Sequence, residues 1–121
     1  PSWNSFFSNG NPAAAQHPNY PEYTPGANNV TGATTKMLRL FFGSDKAPGP
    51  FAIYAVGSAV PLTPGVDPDP RMYTRFSDVV DDVVVARIYL GIHFRSGDVE
   101  GRSQGERAAR YAFDNVLRPL K

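Results

Sequence analysis

Arg87 and His93 stand six residues apart in the most apolar run of the chain, Ala86-Arg87-Ile88-Tyr89-Leu90-Gly91-Ile92-His93-Phe94-Arg95. Arginine offers a rigid fork of donors suited to the oxygens of an oxyanion, and a neutral imidazole offers a ring nitrogen that can coordinate a metal centre. The bland reading of such a pair is a surface ion pair and a histidine that finishes a helix. Geometry separates the two readings. At about 100° per residue the pair would differ by roughly 600° on an unbroken helix and so lie on different faces. To converge on one ligand, the helix must end near Gly91, a residue that tolerates left-handed backbone, and His93 must swing back from the following turn.

The residues between them sharpen the reading. The spacing Arg87-(five residues)-His93, the filling Ile-Tyr-Leu-Gly-Ile and the tail Phe94-Arg95 resemble the last signature of the vanadium-dependent haloperoxidase and phosphatidic-acid phosphatase superfamily. The likeness is nearest its bacterial haloperoxidase-like branch. The resemblance implies that His93 bonds vanadium in bound vanadate, or attacks phosphorus in a phosphatase, while Arg87 binds the oxyanion's oxygens. The family usually has an Asp four positions after the His; here that position is Gly97, with Asp98 one later.

A second stretch, Pro21 to Ala33, falls where the family has its Pro-Ser-Gly-His signature, with Glu22-Tyr23 and Gly32-Ala33 fixing the register. Thr24, Pro25 and Gly26 then occupy the Pro, Ser and Gly positions. Gly26 before a helix start is an oxyanion cradle, since bare N–H groups and the dipole favour negative charge. Ala27 stands where the resemblance implies the acid/base histidine, and an alanine transfers no proton. Asn28 is placed to orient a water or peroxide by hydrogen bonding. His17, the only other histidine, reads as a surface residue of a Pro-rich lead-in.

The fold class that would position these residues is mainly α: a partial bundle of about three helices, a two-stranded hairpin insert and an irregular Pro/Asn-rich N-terminal segment. Residues 1–121 read as a single domain with no internal repeat. Residues 1–27 favour turns, with Trp3, Phe6 and Phe7 as apolar anchors. Residues 28–43 read as a helix capped by Asn28 or Asn29 and stopped at Gly43. In the insert, 44–76, Phe51 to Val56 and Met72 to Phe76 are strand-like around a Pro-rich loop. Asp67 and Asp69 in that loop fall far short of the oxygens calcium prefers. Asn29-Val30-Thr31 matches a glycosylation sequon, but occupancy is not expected at a helix start. Two helices fill 77–121. The first is capped by Ser77, with Val79, Val83, Ala86 and Leu90 as its buried stripe. The second is capped by Ser96 or Asp98 and runs to Leu117. Its apolar face comprises Val99, Ala109, Ala112, Phe113, Val116 and Leu117, and Gly101, Gly105 and Ala109 allow a close backbone approach. Arg102, Glu106, Arg107, Arg110 and Asp114 read as a solvated, ion-paired face.

The 121-residue chain has a net charge of +1, scattered basic residues and no cysteine. This argues against nucleic acid and anionic membrane as partners and removes thiolate metal sites. No apolar run approaches the roughly 18 to 20 residues that span a bilayer. The lack of cysteine and the family habit lean toward an extracytoplasmic or secreted protein. The superfamily's first signature, a Lys and an Arg-Pro pair, is absent from residues 1–20. The expectation is therefore a C-terminal part of a longer protein, whose N-terminal part sits on another chain, or a homo-oligomer. By resemblance, the expected function is peroxide-dependent halide oxidation on small-molecule substrates, with vanadate as cofactor and phosphate as its substitute. Phosphomonoester hydrolysis is the close variant. The alternative is a catalytically degenerate structural or assembly protein that keeps the fold.

Overall fold

The computed structural model describes residues 22–53 and 71–116. Expectations for Trp3, Phe6, Phe7, His17, Asp67, Asp69 and Leu117 lie outside them. In chain order the elements are α1 (Gly26–Phe42), β1 (Lys46–Ile53), β2 (Arg71–Arg75), α2 (Phe76–Tyr89) and α3 (Arg95–Asn115). This is the expected mainly helical bundle with one antiparallel hairpin.

α1 begins two residues earlier than expected, because Pro25 rather than Asn28 or Asn29 occupies the N-cap and contributes no side-chain cap. Both asparagines lie inside the first turn. Asn29 turns its amide back to Pro25 O at 3.2 Å and Thr24 Oγ1 at 3.1 Å, while Asn28 is fully buried. At the other end Gly43 adopts a left-handed φ of 64°, the expected stop.

The hairpin seals that lower end. Phe51 pairs with Tyr73, Ala52 with Met72 and Ile53 with Arg71, and the register shifts between Lys46 and Phe51. Pro48 and Pro50 lie in the shifted stretch, where neither can donate a ladder hydrogen bond. β1 thus starts earlier than expected. Phe51 stacks on Tyr73 at 5.8 Å and lies 5.8 Å from Phe76, which stacks on Phe42 at 5.7 Å. Tyr73 and Phe76 are the buried members of this cluster, and rings of this size dominate the energetics of a small core.

α2 is capped from a distance. Asp45, in the turn before β1, accepts the Ser77 N–H at 3.0 Å and the Ser77 hydroxyl at 2.7 Å. Its own carbonyl accepts Phe76 N–H at 2.9 Å. Ser77 is therefore a donor to the cap, not the cap. Burial works against the Asp45 charge, but the bonds from Ser77 and Arg75 and the nearby Arg39 outweigh it and hold the carboxyl below its ordinary 3.8. With the helix starting at Phe76, the buried stripe is Phe76, Val80 and Val84. Ala86, a member of the expected stripe, is exposed.

α3 meets α1 backbone to backbone, as the Gly101-Gly105-Ala109 spacing requires. A Cβ at Gly105 would overlap Asn29 O and lie 2.9 Å from Ala33 N. α3 thus buries small residues, whereas Val99 and Val116 of its expected apolar face are exposed. Arg102 and Glu106 do more than solvate a surface. Arg102 bonds Asp81 of α2 and, at 3.1 Å, Glu106, which lies 3.7 Å from Arg39 of α1. The three helices are thereby tied by one chain of charges. Arg110–Asp114 remains an exposed i,i+4 pair at 2.6 Å.

Phe41, Tyr89, Phe94 and Tyr111 are each more than two-thirds exposed, the uncovered apolar surface expected of a partial bundle. Among the described residues no helix is long and apolar enough to cross a membrane.

Candidate functional site

The end of the bundle away from the hairpin gathers the start of α1, the last turn of α2 and the start of α3. α2 stops there as its sequence demands. Leu90 N–H reaches Ala86 O at 2.9 Å, Gly91 N–H reaches Ile88 O at 2.9 Å, and Ile92 N–H folds back to Arg87 O at 3.3 Å. Gly91 takes a φ of 70°, a conformation that L side chains resist. The reversal carries His93 back toward the end of α2 that bears Arg87.

The His93 side chain is only 1% exposed. Its Nδ1 lies 3.3 Å from Glu22 Oε2, while Glu22 Oε1 accepts the Phe94 N–H at 2.9 Å. A carboxylate only accepts, so His93 Nδ1 is the donor and, in the neutral ring, the lone pair falls on Nε2. Phe94 is the N-cap of α3, so the Glu22 carboxylate also sits at the positive end of that helix.

Asp98 is no cap. It lies within the first turn of α3, fully buried. Asn28 Nδ2 donates to its Oδ1, and Arg87 Nε stands 3.7 Å from the same oxygen. Burial pushes the Asp98 carboxyl above its ordinary 3.8 and the Glu22 charge adds to this, while His93 and Arg87 pull the other way. Asn28, expected to orient a water or peroxide, has its amide committed to Asp98. Its Oδ1 and Asp98 Oδ2 are buried without a hydrogen-bond partner among the described residues. Ser96, the other expected cap, is exposed.

On the α1 side, the helix N terminus has no side-chain cap. A Cβ at Gly26 would meet nothing within 4 Å, and the residue is exposed. Gly26 comes two residues before Asn28, whose bond to Asp98 joins this end to Arg87. Ala27 is half-buried and brings no titratable group. Beside His93, a concavity of about 470 Å³ is lined by Ile88, Gly91, Ile92, Phe94 and Arg95 as well.

The structure thus brings Arg87, His93 and the Gly26 helix start to one end of the bundle. It adds Glu22, which sequence reasoning missed, and gives Asp98, read from sequence as a cap one residue past the family's Asp position, a different place. Glu22 is 71 positions from His93 and served only as a register mark; no local pattern signals that pairing. Asp98 reads from sequence as an acid at a helix start, and only the packing of α1 onto α3 shows its burial. Among the described residues, no group of three or more His, Cys, Asp or Glu side chains could cage a metal ion.

A family model described as VCPO second helical-bundle domain matches residues 1–121. No curated protein and no solved structure matches the chain.

Proposed function

The chain belongs to this VCPO second helical-bundle family, a vanadium haloperoxidase helical-bundle domain, and from that premise we propose that the Arg87–His93 end binds a tetrahedral oxyanion. That ligand is vanadate, or phosphate in its place. The supporting observation is the His93 ring, buried with Nδ1 beside the Glu22 carboxylate; in its neutral form that pairing leaves the lone pair on Nε2. The donor set fits the ligand, since it combines an imidazole lone pair, a guanidinium and an uncapped helix N terminus at Gly26.

His93 Nε2 would hold vanadate, Arg87 would neutralise its oxygens, and the Gly26 end of α1 would complete the cradle. When bound, vanadate would supply a Lewis-acidic centre for peroxide-dependent halide oxidation; in phosphomonoester hydrolysis instead, His93 Nε2 would attack phosphorus as the bond to the alcohol breaks, and water would then release phosphate from the ring. The buried Asp98 partly offsets the Arg87 charge, so a trianion needs further cations. We assign these to the N-terminal part of the same protein or to another copy of the chain. The same partner would cover Phe41, Tyr89 and Phe94.

A second reading is a catalytically degenerate structural protein, and Ala27 together with the Asp98 carboxylate beside Arg87 favours it. Halide-dependent peroxide consumption with added orthovanadate separates the two. The enzyme reading expects a rate lost in His93→Ala; equal rates in the two proteins end it.

A further inference from the structure

We propose that Glu22 is the positioning residue for His93, and that Gly97 exists as glycine to admit the Glu22 carboxylate. The inference rests on the reading of His93 as the oxyanion ligand. Both Glu22 oxygens are committed, Oε2 to His93 Nδ1 at 3.3 Å and Oε1 to Phe94 N–H at 2.9 Å. The second bond fixes the carboxylate to the backbone next to the ring it orients. A Cβ at position 97 would stand 2.5 Å from Oε1, 2.8 Å from Oε2 and 3.0 Å from the carboxyl carbon. A side chain there would push the Glu22 carboxylate out of its present place. α3 begins with φ and ψ that any residue adopts, and an alanine would favour the helix, so conformational freedom does not explain this glycine. The space taken by the carboxylate does.

The consequence is a division of labour on one ring. By accepting the hydrogen bond from Nδ1–H, Glu22 selects the tautomer whose Nε2 carries the lone pair, and it locks the ring against rotation. A carboxylate beside a ligating histidine acts in this way at many metal sites, where its loss typically costs roughly 10- to 100-fold in affinity. Here it is delivered from the segment before α1, not from α3.

The test combines nitrogen NMR of the His93 ring with orthovanadate binding in wild type, Glu22→Ala, Gly97→Ala and the double variant Glu22→Ala/Gly97→Asp. Wild type should show Nδ1 protonated and Nε2 unprotonated. Glu22→Ala should give a mixed tautomer signature and roughly 10- to 100-fold weaker orthovanadate binding. Gly97→Ala, which keeps Glu22 but displaces its carboxylate, should do the same while retaining the helical circular-dichroism signal. In the double variant a carboxylate enters from position 97, and the wild-type tautomer and affinity should return. A single Nδ1-protonated tautomer that persists in both Glu22→Ala and Gly97→Ala overturns the assignment. Should wild type bind no orthovanadate, the oxyanion reading fails separately, and the tautomer signature alone then sustains or overturns the role of Glu22.

Discussion

The two sides of the candidate site are built on opposite principles. On the side of α2 and α3, Arg87, His93, Glu22 and Asp98 place four ionisable side chains within electrostatic reach of one another. On the α1 side, Pro25, Gly26 and Ala27 present a helix start with no side-chain cap and no group that exchanges a proton. Holding an anion and moving a proton are separable tasks, and the proposed oxyanion site needs only the first. The difference also shows where the electrostatic strain lies. The α2–α3 side carries two carboxylates, one of them fully buried, and Pro25, Gly26 and Ala27 bring no side-chain charge to balance them.

The contrast breaks most visibly if the missing proton carrier is supplied. Ala27→His should raise orthovanadate-dependent halide oxidation by roughly 10²- to 10⁴-fold, in the protein assembled with the partner proposed to complete the site. An unchanged rate would show that proton transfer on the α1 side does not limit the reaction. The next effect comes from separating the two sides. α1 is placed by its contact with α3, and Gly105→Ala forces a methyl into Asn29 O. It should cost about 1–3 kcal/mol in urea or thermal unfolding, with weaker orthovanadate binding. Wild-type stability in that variant would mean the helices are less closely packed than described.

Asp98→Asn sharpens the electrostatic half of the comparison. The folded-state carboxyl is raised above 3.8, so the folded chain binds its proton more tightly than the unfolded chain. The resulting stabilisation is present in acid and is lost as pH rises from about the ordinary carboxyl value through the raised one. Asp98→Asn lacks that loss, so its stability relative to wild type should increase with pH across the interval, as followed by unfolding at a series of pH values. A difference that is flat in pH, or that shrinks, contradicts the direction. The smallest effect belongs to a pair remote from the site. Arg110→Ala removes the exposed bridge to Asp114 and should shift stability by no more than about 0.5 kcal/mol with orthovanadate affinity unchanged. A measurable loss of affinity would show that charge on the outer face of α3 reaches the site.

What could be read in the sequence was local. The Arg87–His93 spacing with Gly91 between them foretold a helix end and a returning histidine, because a left-handed turn and its glycine are neighbours in the chain. Gly43 and the Gly101-Gly105 spacing were legible for the same reason. The caps were not. Asn28, Ser77 and Asp98 all have the residue type of a cap. Yet Asn28 and Asp98 bond each other across 70 positions, and Ser77 is satisfied by Asp45 across 32. Local propensity says that a backbone N–H needs an acceptor; which acceptor arrives is settled by packing. The one-residue offset of the α2 stripe has the same origin, since Phe76 enters the helix to join the aromatic cluster with Phe42 and Phe51. Glu22 was unreadable as a partner of His93 because its evidence is the hole at Gly97, which exists only in the folded chain.

Equilibrium binding of orthovanadate, followed by vanadium NMR with wild type and His93→Ala and with phosphate as competitor, tests the central claim most directly. The account predicts saturable binding by wild type, displaced by phosphate and weakened at least about tenfold in His93→Ala, as loss of a direct ligand should cost no less than loss of its support. Equal binding by the two proteins, or none by either, would contradict an oxyanion site at Arg87 and His93.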